Sequence, residues 1–254
     1  MPTESLYPPF EVPRVDVWSF LFERGDRPFP DDKVIYLDAD TDRSYTYAQV
    51  KSTAIEFGIG LKANWEWRKG DVLALFTPNC VDTPAIIWGC HWAGGVVSPA
   101  NPGYTVAELA FQLEDAGAKG LVTQKPFLAI AQEAAKQVGI PEDMIILIGD
   151  ERDESRRFKH FTSIRNVAGT NRYRRAKLDP KKDLAFLVYS SGTTGHPKGV
   201  MLSHRNIVSN ILMLKAGEGG NVSWNGGRDG RGDKLLAFLP FFHIYGTPLG
   251  LHCK

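Results

Sequence analysis

Cysteine is scarce in this 254-residue chain: the three present, Cys80, Cys90 and Cys253, lie far apart. Such sparse use excludes a disulfide framework and fits a reducing compartment. Six histidines include no pair at i, i+4, so no zinc-ligand spacing emerges. An excess of one charge is missing too, since 30 Lys and Arg face 29 Asp and Glu for a net charge of +1. That balance removes the electrostatic case for a nucleic-acid partner. Long hydrophobic runs are lacking as well. The most apolar stretch, 84–100, is broken by Gly89, His91, Gly94, Gly95 and Ser98. It is short for a membrane span and reads as buried core, so no transmembrane segment is expected. Residues 1–5 have no basic flank and no apolar run, so no secretory signal is expected either.

What is present is globular in kind, with 43% hydrophobic and 23% charged residues. A chain of this length buries about three quarters of its unfolded surface without staples. Six prolines among the first thirty residues suggest an extended arm, with one short helix around 17–22. Thereafter strand-like runs alternate with helical patterns. Val34 to Leu37, Val72 to Phe76, Gly95 to Val97, Gly120 to Thr123 and Met144 to Ile148 read as strands. Between them, Thr46 caps a helix with Val50, Ala54, Phe57 and Leu61 on one face, and Pro84 to Ala93 reads as a buried helix. Thr105 with Glu108 is a capping box opening a helix that stops near Gly117, and a further helix spans about 129–138. This alternation predicts an α/β fold with a largely parallel sheet.

Two stretches break the pattern. Residues 150–182 crowd eight Arg and Lys between 156 and 177 with little apolar periodicity, which predicts a solvated connection. Residues 216–233 hold seven glycines, which predicts a mobile surface loop. Its Arg231-Gly232-Asp233 and Asn221-Val222-Ser223 tripeptides read as chance matches in the absence of a secretory signal. No internal repeat is present.

The chemistry concentrates after the apolar run 184–189. Ser190-Ser191-Gly192-Thr193-Thr194-Gly195-His196-Pro197-Lys198-Gly199 follows it directly, and the strand-like Val200-Met201-Leu202 comes next. Glycines let backbone amides approach a polyphosphate closely, hydroxyls add neutral donors, and the Lys198 ammonium neutralises charge. Spacing separates this loop from a P-loop NTPase, where Gly-Lys is followed by Ser or Thr. Here Pro197 precedes Lys198 and Gly199 follows it. Beyond the loop, Ser203 is positioned to cap a helix carrying Ile207, Val208, Ile211 and Leu212. His204 and Arg205 read as surface residues of its first turn.

The run Tyr189–Val200, continued by Met201-Leu202-Ser203-His204-Arg205-Asn206, resembles the phosphate-binding signature of the adenylate-forming superfamily of AMP-dependent synthetases and ligases. Leu239-Pro240-Phe241-Phe242-His243-Ile244-Tyr245-Gly246 is similar to the family segment beside the acyl and adenylate pocket. Pro99-Ala100-Asn101-Pro102-Gly103-Tyr104-Thr105, Thr46-Tyr47 and Gly70-Asp71-Val72 also fit. The likeness covers nearly the whole chain and looks closest to 4-coumarate–CoA ligase-like enzymes. It implies ATP, Mg2+ and coenzyme A as co-substrates and a small-molecule carboxylic acid as substrate. The acid would be activated as an acyl-adenylate and passed on as a thioester.

Carried over, the resemblance assigns the ATP phosphates to Ser190, Ser191, Gly192, Thr193, Thr194, Gly195 and Lys198. His243 would stand beside the reacting carboxylate and α-phosphate. The bland alternative for His243 is a core or aromatic-packed histidine. His196 falls at a position that varies in the family.

Family members continue beyond such a stretch to an acidic magnesium ligand, a ribose-binding Asp, a hinge and a small domain with a catalytic Lys. None of these occurs here, so no metal ligand is assigned. The resemblance thus implies an arm at 1–30, an α/β region at 31–182, and a phosphate-loop unit at 183–254 that begins the next subdomain. The fold would be incomplete on its C-terminal side, and the chain is expected to turn over little by itself. The alternative is a non-catalytic nucleotide-binding or interaction protein derived from such a ligase. A kinase or NTPase reading is opposed by the loop spacing. Relatives are cytoplasmic or peroxisomal, and His252-Cys253-Lys254 is not a peroxisomal address.

Overall fold

A computed structural model describes residues 7–165, 167, 172–190, 197–218, 221–226, 230–244 and 246. In chain order its elements are α1 Val17–Phe22, β1 Val34–Leu37, β2 Ser44–Thr46, α2 Tyr47–Trp65, β3 Val72–Phe76, α3 Thr83–Ala93, β4 Val96–Ala100 and α4 Val106–Asp115. They continue with β5 Ala118–Thr123, α5 Leu128–Gln137, β6 Ile145–Leu147, β7 Lys159–His160, α6 Phe161–Ile164, β8 Leu184–Ser190, β9 Lys198–Ser203 and α7 His204–Glu218. Among the described residues, β1 and β2 form a hairpin, and a seven-stranded sheet runs β7-β6-β5-β3-β4-β8-β9. Its strands are parallel except for the edge strand β9, which pairs antiparallel with β8.

Central position explains sequence character. All five residues of β3 and all five of β4 are buried, as expected of strands covered on both faces. Every residue of α3 is buried too, and α3 packs most intimately on α2. Glycines permit that approach: a Cβ at Gly89 would lie 2.6 Å from the Ala54 carbonyl oxygen. Right-handed crossovers place α4 and α5, which pack on one another, on the sheet face opposite α3. Thr46 with Gln49 and Thr105 with Glu108 both form reciprocal capping boxes, so each helix start is defined by its own side chains. No helix among the described residues is long and apolar enough to cross a membrane.

The arm contributes to the core. Val17 and Trp18 are buried, and Phe22 packs against Trp18 and Tyr47. The charged stretch is not merely a solvated connection, because Phe158, Phe161 and Ile164 are buried and β7 and α6 form around them. Three apolar residues at spacings of three escape notice among so many cations. The cations themselves pair outward or across, as Arg157 with Glu142, Arg165 with Glu56, and Arg175 with Asp16 and Glu23. In the glycine-rich stretch, Lys33 Nζ donates to the Trp224 carbonyl at 2.7 Å and also to that of Arg231.

Candidate functional site

Because β3, β4 and β8 are parallel, their carboxyl ends open on one edge of the sheet. The chain passes from β3 to β4 on one side and then to β5 on the other. That reversal creates a crevice beyond the carboxyl end of β3, the usual ligand position in open α/β sheets.

Ser190 ends β8 and Lys198 begins β9, and the two are cross-strand partners. Both are exposed, and Lys198 makes no ion pair among the described residues. Ser191, Gly192, Thr193, Thr194, Gly195 and His196 lie outside the described residues. The ladder below them is fixed by packing. Tyr189 faces Gly199, and its hydroxyl donates to the Asp115 carboxylate at the end of α4. Burial and that carboxylate together push the phenol pKa upward, so Tyr189 stays a neutral donor.

The residues after β4 form the next part of the edge. Gly103 donates its amide to Asn101 Oδ1 at 2.9 Å, Tyr104 donates to the Asn101 carbonyl at 3.0 Å, and Thr105 caps α4. This stretch works as a turn and helix start, an Asx-type device.

His243 sits in a turn. Its amide donates to the Pro240 carbonyl at 3.1 Å, and Gly246 donates to the His243 carbonyl at 2.9 Å. A Cβ at Gly246 would come 2.1 Å from the Pro240 oxygen, so the turn needs glycine. His243 is exposed. The 237–241 backbone preceding it is hydrogen-bonded to Asn79, just beyond β3. Two strand spacings, about 10 Å, separate β3 from β8, so Ser190, Lys198 and the His243 turn lie toward the same end of the sheet.

His204 requires correction. It is fully buried, not a first-turn surface residue. The Val17 amide donates to its Nδ1 at 3.3 Å, and its ring lies 5.1 Å from that of His91. The helix face carrying Ile207 and Val208 turns inward earlier than their own spacing suggests, because α1 docks against α7. His91 Nε2 lies 2.9 Å from the Ala185 carbonyl at the amino end of β8. Five residues of strand, about 17 Å, separate that level from Ser190. The histidine pair is therefore away from the phosphate-loop edge.

Among the described residues no group of three or more His, Cys, Asp or Glu is placed to hold a metal ion. Sequence reasoning missed Asn79 altogether, although a Thr-Pro-Asn run after a fully buried strand marks a turn at a carboxyl edge.

Comparison with known proteins agrees with this architecture. The AMP-binding enzyme family matches residues 22–253. A 4-coumarate–CoA ligase of Pinus taeda is 34% identical over 239 residues, covering 92% of this chain and 41% of that protein. A long-chain-fatty-acid–CoA ligase of Bacillus subtilis (strain 168) is 29% identical over 255 residues, covering 92% and 43%. Among solved structures, a long-chain-fatty-acid–CoA ligase of Archaeoglobus fulgidus superposes with a TM-score of 0.78 at 20% identity, covering 98% of this chain and 47% of that one. The ATP-bound MatB of Rhodopseudomonas palustris gives 0.74 at 26% identity, covering 94% and 42%. This chain thus spans less than half the length of the curated relatives it matches. The match over residues 22–253 places the chain in the AMP-binding enzyme family.

Proposed function

We propose that this chain is the N-terminal part of an AMP-forming acid–CoA ligase. Its part of the work is to hold the ATP phosphates and present His243 to the reacting carboxylate. The supporting observation is that the Ser190–Lys198 hairpin and the His243 turn share the carboxyl edge of one sheet. The relatives' names point to aryl-propenoic or fatty acids as the substrate class.

In the overall reaction a carboxylate oxygen attacks the α-phosphorus of ATP and pyrophosphate leaves. The thiol of coenzyme A then attacks the acyl carbon, AMP leaves, and the thiol proton passes to solvent. Two anions must meet in the first step, so fixed positive charge and N–H donors at the phosphates carry much of the catalysis. Lys198 would supply the charge, and the backbone around Ser190 to Gly195 the donors. Holding carboxylate and phosphate in line would contribute the remainder. Magnesium, when it arrives with ATP, shields the β- and γ-phosphates.

The test is ATP binding by the 254-residue chain, measured calorimetrically against Lys198→Ala. Loss of a charge-assisted contact worth about 1.5–3 kcal/mol weakens binding about 10- to 150-fold. Equal affinity of the two proteins rejects the phosphate assignment. ATP–pyrophosphate exchange by the chain alone is expected to be absent, and robust exchange would overturn its reading as a partial ligase.

A further inference from the structure

We infer that Asn79 is a positioning residue for His243, clamping the backbone that leads into the His243 turn onto the carboxyl end of β3. Its Nδ2 donates to the Ala237 and Leu239 carbonyls, each at 2.8 Å, and its Oδ1 accepts from the Phe241 amide at 2.7 Å. Both amide hydrogens and one lone pair are thus used on residues 158 to 162 positions away. Carbonyls two apart point to the same side of an extended chain, which is why one carboxamide reaches both. The pattern also fixes the amide's orientation, since a flipped group would set its oxygen against two carbonyl oxygens.

The clamp matters because apolar burial does little to hold the start of that segment. Leu235, Leu236 and Phe238 are 59%, 80% and 75% exposed, so apolar burial does not hold them in place. The mount, by contrast, is firm. Thr77 Oγ1 donates to the Pro78 carbonyl at 2.9 Å and accepts from Gln124 Nε2 at 2.8 Å. The Thr83 amide closes the loop onto the Cys80 carbonyl at 3.0 Å. A rigid loop at the carboxyl end of β3 therefore sets the height of the His243 turn above the sheet. The bonds go to backbone, so they position the turn whatever side chains the segment carries. Each faces water and is weak alone, but three from one side chain act together.

This inference rests on the ligase reading for what His243 does, although not for where it sits. The test is amide hydrogen exchange of Phe241, together with the ring resonances of His243 during titration with Mg·ATP. Asn79→Ala is expected to speed exchange at Phe241 about tenfold while amides of Leu73 to Leu75 in β3 keep their protection. Asn79→Asp keeps the acceptor for the Phe241 amide but sets a carboxylate oxygen against the Ala237 and Leu239 carbonyls, so it too should speed exchange at Phe241. Intact β3 protection in both variants separates loss of the clamp from a general loss of folding. In the wild type, ATP should shift the His243 ring signals, and in Asn79→Ala that response should shrink together with the Phe241 protection. Unchanged exchange at Phe241 in Asn79→Ala overturns the clamp. A His243 ring indifferent to ATP in the wild type, with Phe241 responding as expected, refutes the ligase role of His243 and leaves the clamp standing.

Discussion

Gly199 lies directly across the β8–β9 ladder from Tyr189, and a Cβ at Gly199 would stand 3.1 Å from Cζ of that ring. A side chain at this position would therefore press on the Tyr189 ring, which must shift to admit it. Tyr189 in turn reaches Asp115, so the end of β8 is tied to the end of α4.

Replacing Gly199 by Val should push the Tyr189 ring off Asp115 and destabilise the fold by about 1–3 kcal/mol, the usual range for overpacking. Urea unfolding checks this. In a Tyr189→Ala background the same replacement should cost little, and full additivity of the two changes would disprove the steric account.

Two other glycines should respond in opposite directions. A Cβ at Gly89 would meet the Ala54 carbonyl oxygen at 2.6 Å and Phe57 Cδ1 at 2.8 Å, where α2 and α3 touch backbone to side chain. Gly89→Ala should therefore lower stability by about 1–3 kcal/mol or more. At Gly217, in the last turn of α7, a Cβ would meet nothing within 4 Å. Gly217→Ala should raise stability by up to about 1 kcal/mol through helix propensity. Thermal melts of the two variants should move apart.

Asp82 is fully buried and joins three parts of the chain. Its carboxylate accepts from Arg43 at 2.5 Å, from the Tyr45 hydroxyl at 2.7 Å and from the Gly149 amide at 3.2 Å. Burial and that carboxylate push the Tyr45 phenol pKa upward. Asp82→Ala would leave Arg43 and two other donors without their shared acceptor. Arg43 keeps Asp150 as a partner, so a loss of about 1–3 kcal/mol in urea unfolding is expected, as for donors left unsatisfied. A loss below about 1 kcal/mol would show that the β1–β2 hairpin does not depend on this carboxylate.

Stability should fall on mild acidification. Burial holds His91 at a pKa of about 3 and His204 at about 4, whereas in the unfolded chain a histidine titrates near about 6.5. Between these values the unfolded chain binds protons that the fold excludes. The stabilisation is complete above about pH 6.5 and is lost progressively as pH falls toward 4, at about 1.4 kcal/mol per pH unit for each histidine. For Asp16, burial is more than offset by hydrogen bonds from Arg175 and Ser19, which hold its carboxyl below the ordinary range. Its contribution is therefore lost at lower pH. His204→Asn keeps an acceptor for the Val17 amide and should remove about half the slope between pH 6 and 4.5. An unchanged slope would mean that His204 is protonated in the fold.

Local signals in the sequence were enough for most of the fold. The apolar run Val72–Phe76 fits only a strand covered on both faces, and Thr46 with Gln49 and Thr105 with Glu108 start their helices from within four residues. The Gly/Ser/Thr run ending in Lys198 is likewise a local signal, because the anion site proposed there draws on residue types that stand side by side. By contrast, Phe158, Phe161 and Ile164 disappear among arginines, since their burial depends on what packs over them. His204 looked like a solvent-facing first-turn residue until α1 was found to cover it.

The sequence by itself determined the α/β alternation and the helix caps at Thr46 and Thr105, because each rests on neighbours within a few positions. Only the tertiary structure decided that Ser190, Lys198 and the His243 turn lie toward the same end of one sheet. It alone placed Asn79 under a segment 158 to 162 residues later, and buried His204 against His91. Contacts across such separations follow from strand order and helix docking, and these are set by burying one common core that no local pattern encodes.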